Sequence, residues 1–189
     1  MRKDLGSFPA IFPMPVLMVG TYNEDGTVNV MNVAWGMMAD MQNIILNISS
    51  VRKTLENIRR NKAFTISIAT KNTVSESDYF GMISGNVKND KFENTGFHAF
   101  KSSLINAPII EEYPFAMECE FVEEKELIPG RIGIVGKIVN VSCDESVLDK
   151  EEKVDVKSLN AIMYDTINRG YYGVGEKIGE AFSEGKKYL

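Results

Sequence analysis

Short extended runs broken by turn residues mark most of the first half of this chain. The run from Pro15 to Thr21 is rich in valine and other apolar residues, Asn23, Glu24, Asp25 and Gly26 form a turn signal, and a second extended run follows at Thr27 to Val30. This pattern predicts a β-hairpin. Ile44 to Ile48 and Ala63 to Ala69 read as further strands, the latter with Phe64, Ile66 and Ile68 on one face and Thr65 and Ser67 on the other. Between them, Thr54 is placed to cap a short helix running to about Arg60, whose packing face carries Leu55 and Ile58.

Beyond Lys71 the periodicity weakens. Glu76 to Phe80 predicts a helical turn, and Gly85 to Gly96, punctuated by Asn86, Asn89, Asp90 and Asn94, predicts a surface excursion. Phe115 to Val122 and Ile132 to Val141 are two long extended candidates around a charged turn with Pro129 and Gly130, the pattern of adjacent antiparallel strands. A charged loop from Asp144 to Lys157, a short segment at Leu159 to Tyr164 and a helix at Glu176 to Glu184 complete the reading. With no internal repeat and no Ser/Pro-rich linker, the simplest organisation is one β-rich domain over residues 1–189 with peripheral helices. Strands joined by turns disfavour a doubly wound dinucleotide fold and favour a small barrel.

Composition narrows the classes of function. In 189 residues, 44% are hydrophobic and 25% charged, so a sizeable core is available and wholesale disorder is disfavoured. Lys plus Arg number 21 against 26 Asp plus Glu, a formal charge of −5, which argues against a broad nucleic-acid surface while leaving room for a local anion site. Asp4 and the prolines at 9, 13 and 15 interrupt any signal-peptide core, and no apolar run of about twenty residues occurs, so no membrane association and a cytoplasmic location are expected. Cys119 and Cys143 lack metal spacing and read as ordinary thiols, and one histidine, His98, does not build a metal centre. No metal site is expected.

Three segments carry candidate chemistry. Asn29, Asn32, Val33, Ala34 and Trp35 offer amides for the polar edge of a planar heterocycle and an indole for stacking, although a core role explains Trp35 equally well. Ser50, Arg52, Lys53 and Thr54 stand at a strand-to-helix transition, where hydroxyls, cations and unpaired helix amides make a receptacle for a phosphate dianion, or simply a capped helix with exposed cations. The Gly170-Tyr171-Tyr172-Gly173-Val174-Gly175 run either covers a flat ligand, packs across subunits or forms an aromatic-packed turn. GxGxxG, P-loop and GxSxG elements are absent, and His98 has no evident nucleophile beside it.

Taken in order, the Pro15 to Thr21 strand, Asp25-Gly26, the Asn29 to Trp35 segment, Arg52-Lys53-Thr54, Asp90-Lys91-Phe92 and the Gly173 to Lys187 tail make the chain resemble a known family. It is similar to the flavin reductase-like FMN-binding split barrels, more narrowly to their flavoredoxin-like branch. The resemblance implies a mainly β fold, a split β-barrel with short peripheral helices, and a homodimer with flavin near the subunit interface. It implies FMN held by Asn29, Asn32, Val33, Ala34 and Trp35 at the ring or ribityl chain, and by Ser50, Arg52, Lys53 and Thr54 at the phosphate. Lys91 resembles a basic flavin contact and Tyr164 an aromatic one. Arg131 stands where the family often has a histidine; it can still bind flavin or an anion, but it does not exchange a proton near neutral pH.

No side chain is implied as catalytic, because the cofactor carries the chemistry. NADH or NADPH would donate hydride to flavin N5, and electrons would pass to free flavin or to a redox partner such as a monooxygenase. A flavoredoxin-like electron carrier without direct nicotinamide oxidation, and a non-catalytic ligand-binding barrel, stay open beside that reading.

Overall fold

The opening hairpin forms as its pattern predicts. In the computed structural model, which describes residues 1–189, the chain runs β1 (Met14–Pro15), β2 (Leu17–Tyr22), β3 (Val28–Val33), β4 (Gly36–Met38), β5 (Asn43–Ser49), α1 (Lys53–Asn61), β6 (Ala63–Ile68) and α2 (Val74–Met82). It continues through β7 (Ala99–Lys101), β8 (Pro108–Ile110), β9 (Phe115–Ile128), β10 (Arg131–Cys143), α3 (Val156–Leu159), β11 (Ile162–Asp165) and β12 (Gly170–Gly173). No helix is long and apolar enough to cross a membrane.

Seven strands form the main sheet in the order β3, β2, β6, β9, β10, β5, β4, every neighbour antiparallel. Its two edge strands, β3 and β4, are separated in the chain only by Ala34 and Trp35. Three peptide steps reach at most about 11 Å, so the sheet has to curl until its edges approach. They do not pair with each other, which leaves a seam and makes the barrel split, as the resemblance implies. The Trp35 carbonyl accepts from the Asn47 N–H at 2.8 Å, which carries the β4–β5 ladder one residue back into the link.

Alternation decides which side chains fill the curl. Leu17 and Val19 of β2, Met31 and Val33 of β3, Ile44, Leu46 and Ile48 of β5, Phe64 and Ile66 of β6, and Ile132 and Ile134 of β10 form the inner core, closed by Leu55 and Ile58 of α1. Each such side chain contributes roughly 1.5–3 kcal/mol when fully buried. Phe64 reaches β10 because residue 136 is glycine; a Cβ there would strike the ring. The opposite face of β2 and β3 is also covered, with Val16, Met18 and Val30 packed among Phe80, Phe92, Ile110, Tyr113 and Ile162. Burial on both faces is why Pro15 to Thr21 reads as a nearly continuous apolar run.

Several expectations need correction. Thr54 does not cap α1: Arg52 is the N-cap, without a side-chain hydrogen bond, and Thr54 is the second helical residue, 1% exposed. The Gly85 to Gly96 segment is not wholly a surface excursion, since Lys91 and Phe92 are buried and the Phe92 ring stacks on Phe80 at 6.2 Å. The Glu76 to Phe80 turn lengthens into α2, and Leu159 to Tyr164 contributes β11, which pairs with β1 and β12 in a second, three-stranded sheet. β9 extends to Ile128, because pairing with β10 supports a charged, exposed half-strand that periodicity alone does not mark. The Glu176 to Glu184 helix is absent. Ile178 and Phe182 find nothing to pack against, a helix that short is marginal without burial, and only a 3₁₀ turn at Glu184–Tyr188 forms.

Candidate functional site

At the barrel seam lies a cleft of about 520 Å³. Curling brings Met31 to Trp35, at the end of β3 and in its short link to β4, against the end of β5 and the start of α1. A second wall comes from α2, through Asp78, Gly81 and Met82, and from the β11–β12 hairpin, through Tyr164, Arg169 and Tyr171. The lining therefore contains Asn32, Val33, Ala34, Trp35, Arg52, Arg131 and Tyr164, all expected from the sequence.

Polar groups around the cleft are held in place. Asn32 Nδ2 donates to the Ser77 carbonyl at 3.0 Å, fixing that amide against α2. Tyr171 donates its phenol to Asp78 Oδ1 at 2.8 Å, while its ring lies 5.7 Å from that of Tyr164. Burial and the Asp78 carboxylate keep this phenol protonated well above its ordinary range. Arg131 donates through Nε to Asn47 Oδ1 at 3.0 Å and through a terminal nitrogen to the Asn47 carbonyl at 2.9 Å. Register explains that pair: Arg131 is opposite Ser49, so its side chain lies along the last residues of β5.

The remaining expected residues do not line this cleft. Asn29 and Thr54 form a buried network in which Asn29 Nδ2 donates to Thr54 Oγ1 at 2.9 Å and to Thr21 Oγ1 at 3.3 Å, extended by Asn57 to Thr21 and Asn23. It fastens the first hairpin to α1. Gly85 is part of this fit, because a Cβ there would collide with Asn29 Oδ1. Lys53 pairs with Glu56 at 2.8 Å and faces a neighbouring hollow. Ser50 is exposed and shares with Arg52, Arg59 and Arg60 a shallow concavity that adjoins the cleft through Arg52. Lys91 is buried, with Nζ donating to the Phe80 and Ile83 carbonyls at 3.3 and 3.1 Å.

Residues not anticipated are Asn47, Ser49, Asp78, Gly81, Met82 and Arg169, with Met31 and Ile48 beside them. Asn47 and Ser49 alternate with the buried Leu46 and Ile48, so their outward direction was available from period two. Arg169 had no local signal. Tyr171 combines two of the readings of the aromatic-glycine run, packing on Tyr164 while lining the cleft.

Other reactive groups lie elsewhere. His98 is at the surface with Nδ1 2.9 Å from Glu112 Oε1. Both cysteines are free; burial pushes the Cys119 thiol up to about 12, and Cys143 is half-buried. No group of three or more His, Cys, Asp or Glu side chains is placed to hold a metal ion.

Known proteins share this arrangement of strands. The profile of the flavin reductase like domain family matches residues 9–172. Flavoredoxin of Desulfovibrio vulgaris (Miyazaki F) superposes with a TM-score of 0.92 at 32% identity, covering 98% of this chain and 100% of that one. Flavoredoxin from Methanosarcina acetivorans gives 0.90 at 26% identity, with both chains covered completely (100%). Nitrilotriacetate monooxygenase component B from Bacillus cereus shares the fold, with a TM-score of 0.79 at 17% identity, over 95% of this chain and 100% of that chain.

Proposed function

The chain belongs to the flavin reductase like domain family, and from that premise we propose that it is an FMN-binding oxidoreductase whose cofactor occupies the seam cleft. The observation that carries this reading is the joining of an aromatic and apolar lining, Trp35, Tyr164, Tyr171, Met31 and Met82, to a cationic end at Arg52. An isoalloxazine needs the first and a phosphate the second. The residues fit the group: α1 has nine residues and no side-chain cap, so its first N–H groups are free of a side-chain acceptor, with the Arg52 guanidinium at the same end. No carboxylate neutralises Arg52, whereas Arg59 is paired with Glu124 at 2.7 Å.

Bound FMN would supply reversible hydride and electron transfer. The protein's part is to bind and orient. Asn32, held against α2, and Asn47, held by Arg131, present amide and backbone groups to the polar rim of the ring system. Ser50 and Arg52 hold the phosphate, while Asn29 and Thr54 support the turn from beneath without touching the ligand. Arg131, always charged, favours negative charge on whatever lies in the cleft and does not relay a proton at neutral pH.

NADH or NADPH is the proposed hydride donor, with free flavin or a partner protein as acceptor. The flavoredoxin likenesses, with TM-scores of 0.92 and 0.90, favour an electron carrier served by a protein donor as the second reading. A second copy of the chain is the proposed covering partner, beside the cleft where Trp35, Met37, Met38 and Met41 are exposed. Anaerobic spectral titration of the FMN-loaded protein with NADH and with NADPH separates the readings. Prompt bleaching supports the reductase, stable FMN without bleaching supports the carrier, and failure to take up flavin overturns both in favour of a non-catalytic barrel.

A further inference from the structure

One charged side chain in the cleft has no assigned work. We propose that Arg169 docks an oxyanion, phosphate or carboxylate, carried by the second ligand that meets the cofactor, an inference that rests on FMN occupying the cleft. The charged side chains lining it are Arg52, Arg131, Arg169 and Asp78, three guanidiniums to one carboxylate in a chain of net charge −5. Asp78 already accepts from Tyr171, and Arg131 is fastened to Asn47. FMN brings a single phosphate, and Arg52 with the start of α1 accounts for it. Arg169 comes from the β11–β12 turn of the other sheet, and its guanidinium has neither hydrogen bond nor ion pair within the chain.

The turn beneath Arg169 is firmly built although its side chain is free. Asp165, 4% exposed, accepts from the Ile167 N–H at 2.8 Å and Asn168 Nδ2 at 2.9 Å, and its carbonyl accepts from the Arg169 N–H at 2.9 Å. Thr166 donates to the Ile11 carbonyl at 2.9 Å, or to that of Pro9 at 3.2 Å, tying the turn to the N-terminal segment. Arg169 itself has φ +59, a left-handed conformation that is unfavourable for a residue with a Cβ. A fixed backbone therefore presents an exposed, unpaired, planar cation at the cleft, the donor geometry that suits a two-oxygen contact with phosphate or carboxylate. Its exposure suits a ligand that comes and goes rather than a retained cofactor.

The test uses FMN-loaded wild type, Arg169→Gln and Arg169→Lys with two redox-silent probes, ADP-ribose for a nucleotide diphosphate and benzoate for an aromatic carboxylate. Calorimetry on wild type is expected to detect at least one probe, and which one binds identifies the source of the oxyanion. Arg169→Gln should weaken that probe about tenfold or more, the scale of one charge-assisted contact, and Arg169→Lys should recover most of the loss. FMN affinity, read by flavin fluorescence, should be the same in all three. The proposal is overturned if neither probe binds wild-type holoprotein, if Arg169→Gln binds as wild type does, or if FMN affinity falls by the same factor as the probe's. Failure of the wild-type apoprotein to take up FMN instead overturns the cofactor reading of the cleft, and because the probes are redox-silent, the question of nicotinamide oxidation stays separate.

Discussion

Thr54 shows how a shift of two residues in register changes a role. At the N-cap its hydroxyl would face the helix amides and a bound phosphate; two positions further on it faces inward and accepts from Asn29. Valine at this position keeps the shape and removes the acceptor, leaving Asn29 Nδ2 with only the longer contact to Thr21. Thr54→Val should therefore lower unfolding free energy by about 1–3 kcal/mol in urea titration, with FMN affinity changed less than about threefold, below the scale of a charge-assisted contact. A tenfold loss of FMN affinity at undiminished stability would return the hydroxyl to the phosphate. The strand-to-helix position of Ser50 to Thr54 was legible because cations and hydroxyls cluster there. Which of them faces inward was not, because a threonine that caps and a threonine that packs are the same letter two positions apart. Arg169 was illegible for another reason: its meaning depends on a wall of the cleft contributed by residues more than a hundred positions earlier in the chain.

At the scale of elements, α2 and the segment after it depend on a buried cation. Lys91 donates to carbonyls at the end of α2, a favourable place for positive charge, yet burial, helped by the nearby Arg52, lowers its pKa from 10.5 to about 8. The direction of the pH effect follows. Between about 8 and 10.5 the unfolded chain holds a proton that the folded chain has released, so this group makes stability rise with pH across that window; below about 8 it imposes a constant cost. The Cys119 thiol, pushed up to about 12 in the folded chain, releases its proton in this window only when unfolded, so the informative quantity is the difference between wild type and Lys91→Met. That difference in unfolding free energy, measured by urea titration at successive pH values, should change steadily from pH 8 to 10.5 and level off below; a flat difference would place Lys91 in solvent-like surroundings. Strands were the legible elements here, since period two survives in the letters of β6 and the burial of β5, while β2 shows as a short apolar run closed by turn residues. Gly85 to Gly96 misled because its asparagines and glycines are turn letters, while the two residues that anchor it, Lys91 and Phe92, are buried by contacts with Phe80 that no local window contains.

For the whole molecule, the open seam poses the problem of what covers it. Beside the cleft runs an apolar groove lined by Pro9, Ile11, Pro13, Met37, Ile45 and Leu127, and it shares Trp35 and Asn47 with the cleft. β4, at the edge of the sheet, carries Met37 and Met38 in the open, with Met41 just beyond, and an exposed apolar edge strand favours pairing with another surface. A second copy covering this region would extend the wall of the cleft past Trp35, linking assembly to cofactor retention. Met37→Glu places a charge in the groove without touching either core cluster. By sedimentation velocity the wild type should be a dimer and Met37→Glu predominantly a monomer, with FMN affinity falling at least tenfold as the wall is lost and with thermal unfolding of the monomer still cooperative. A wild-type monomer that holds FMN tightly would show that one chain completes the site by itself, and the exposed methionines would then need another partner. A dimer that dissociates in Met37→Glu while FMN affinity is kept would confirm the interface yet separate it from the flavin, leaving the seam residues alone to retain the cofactor.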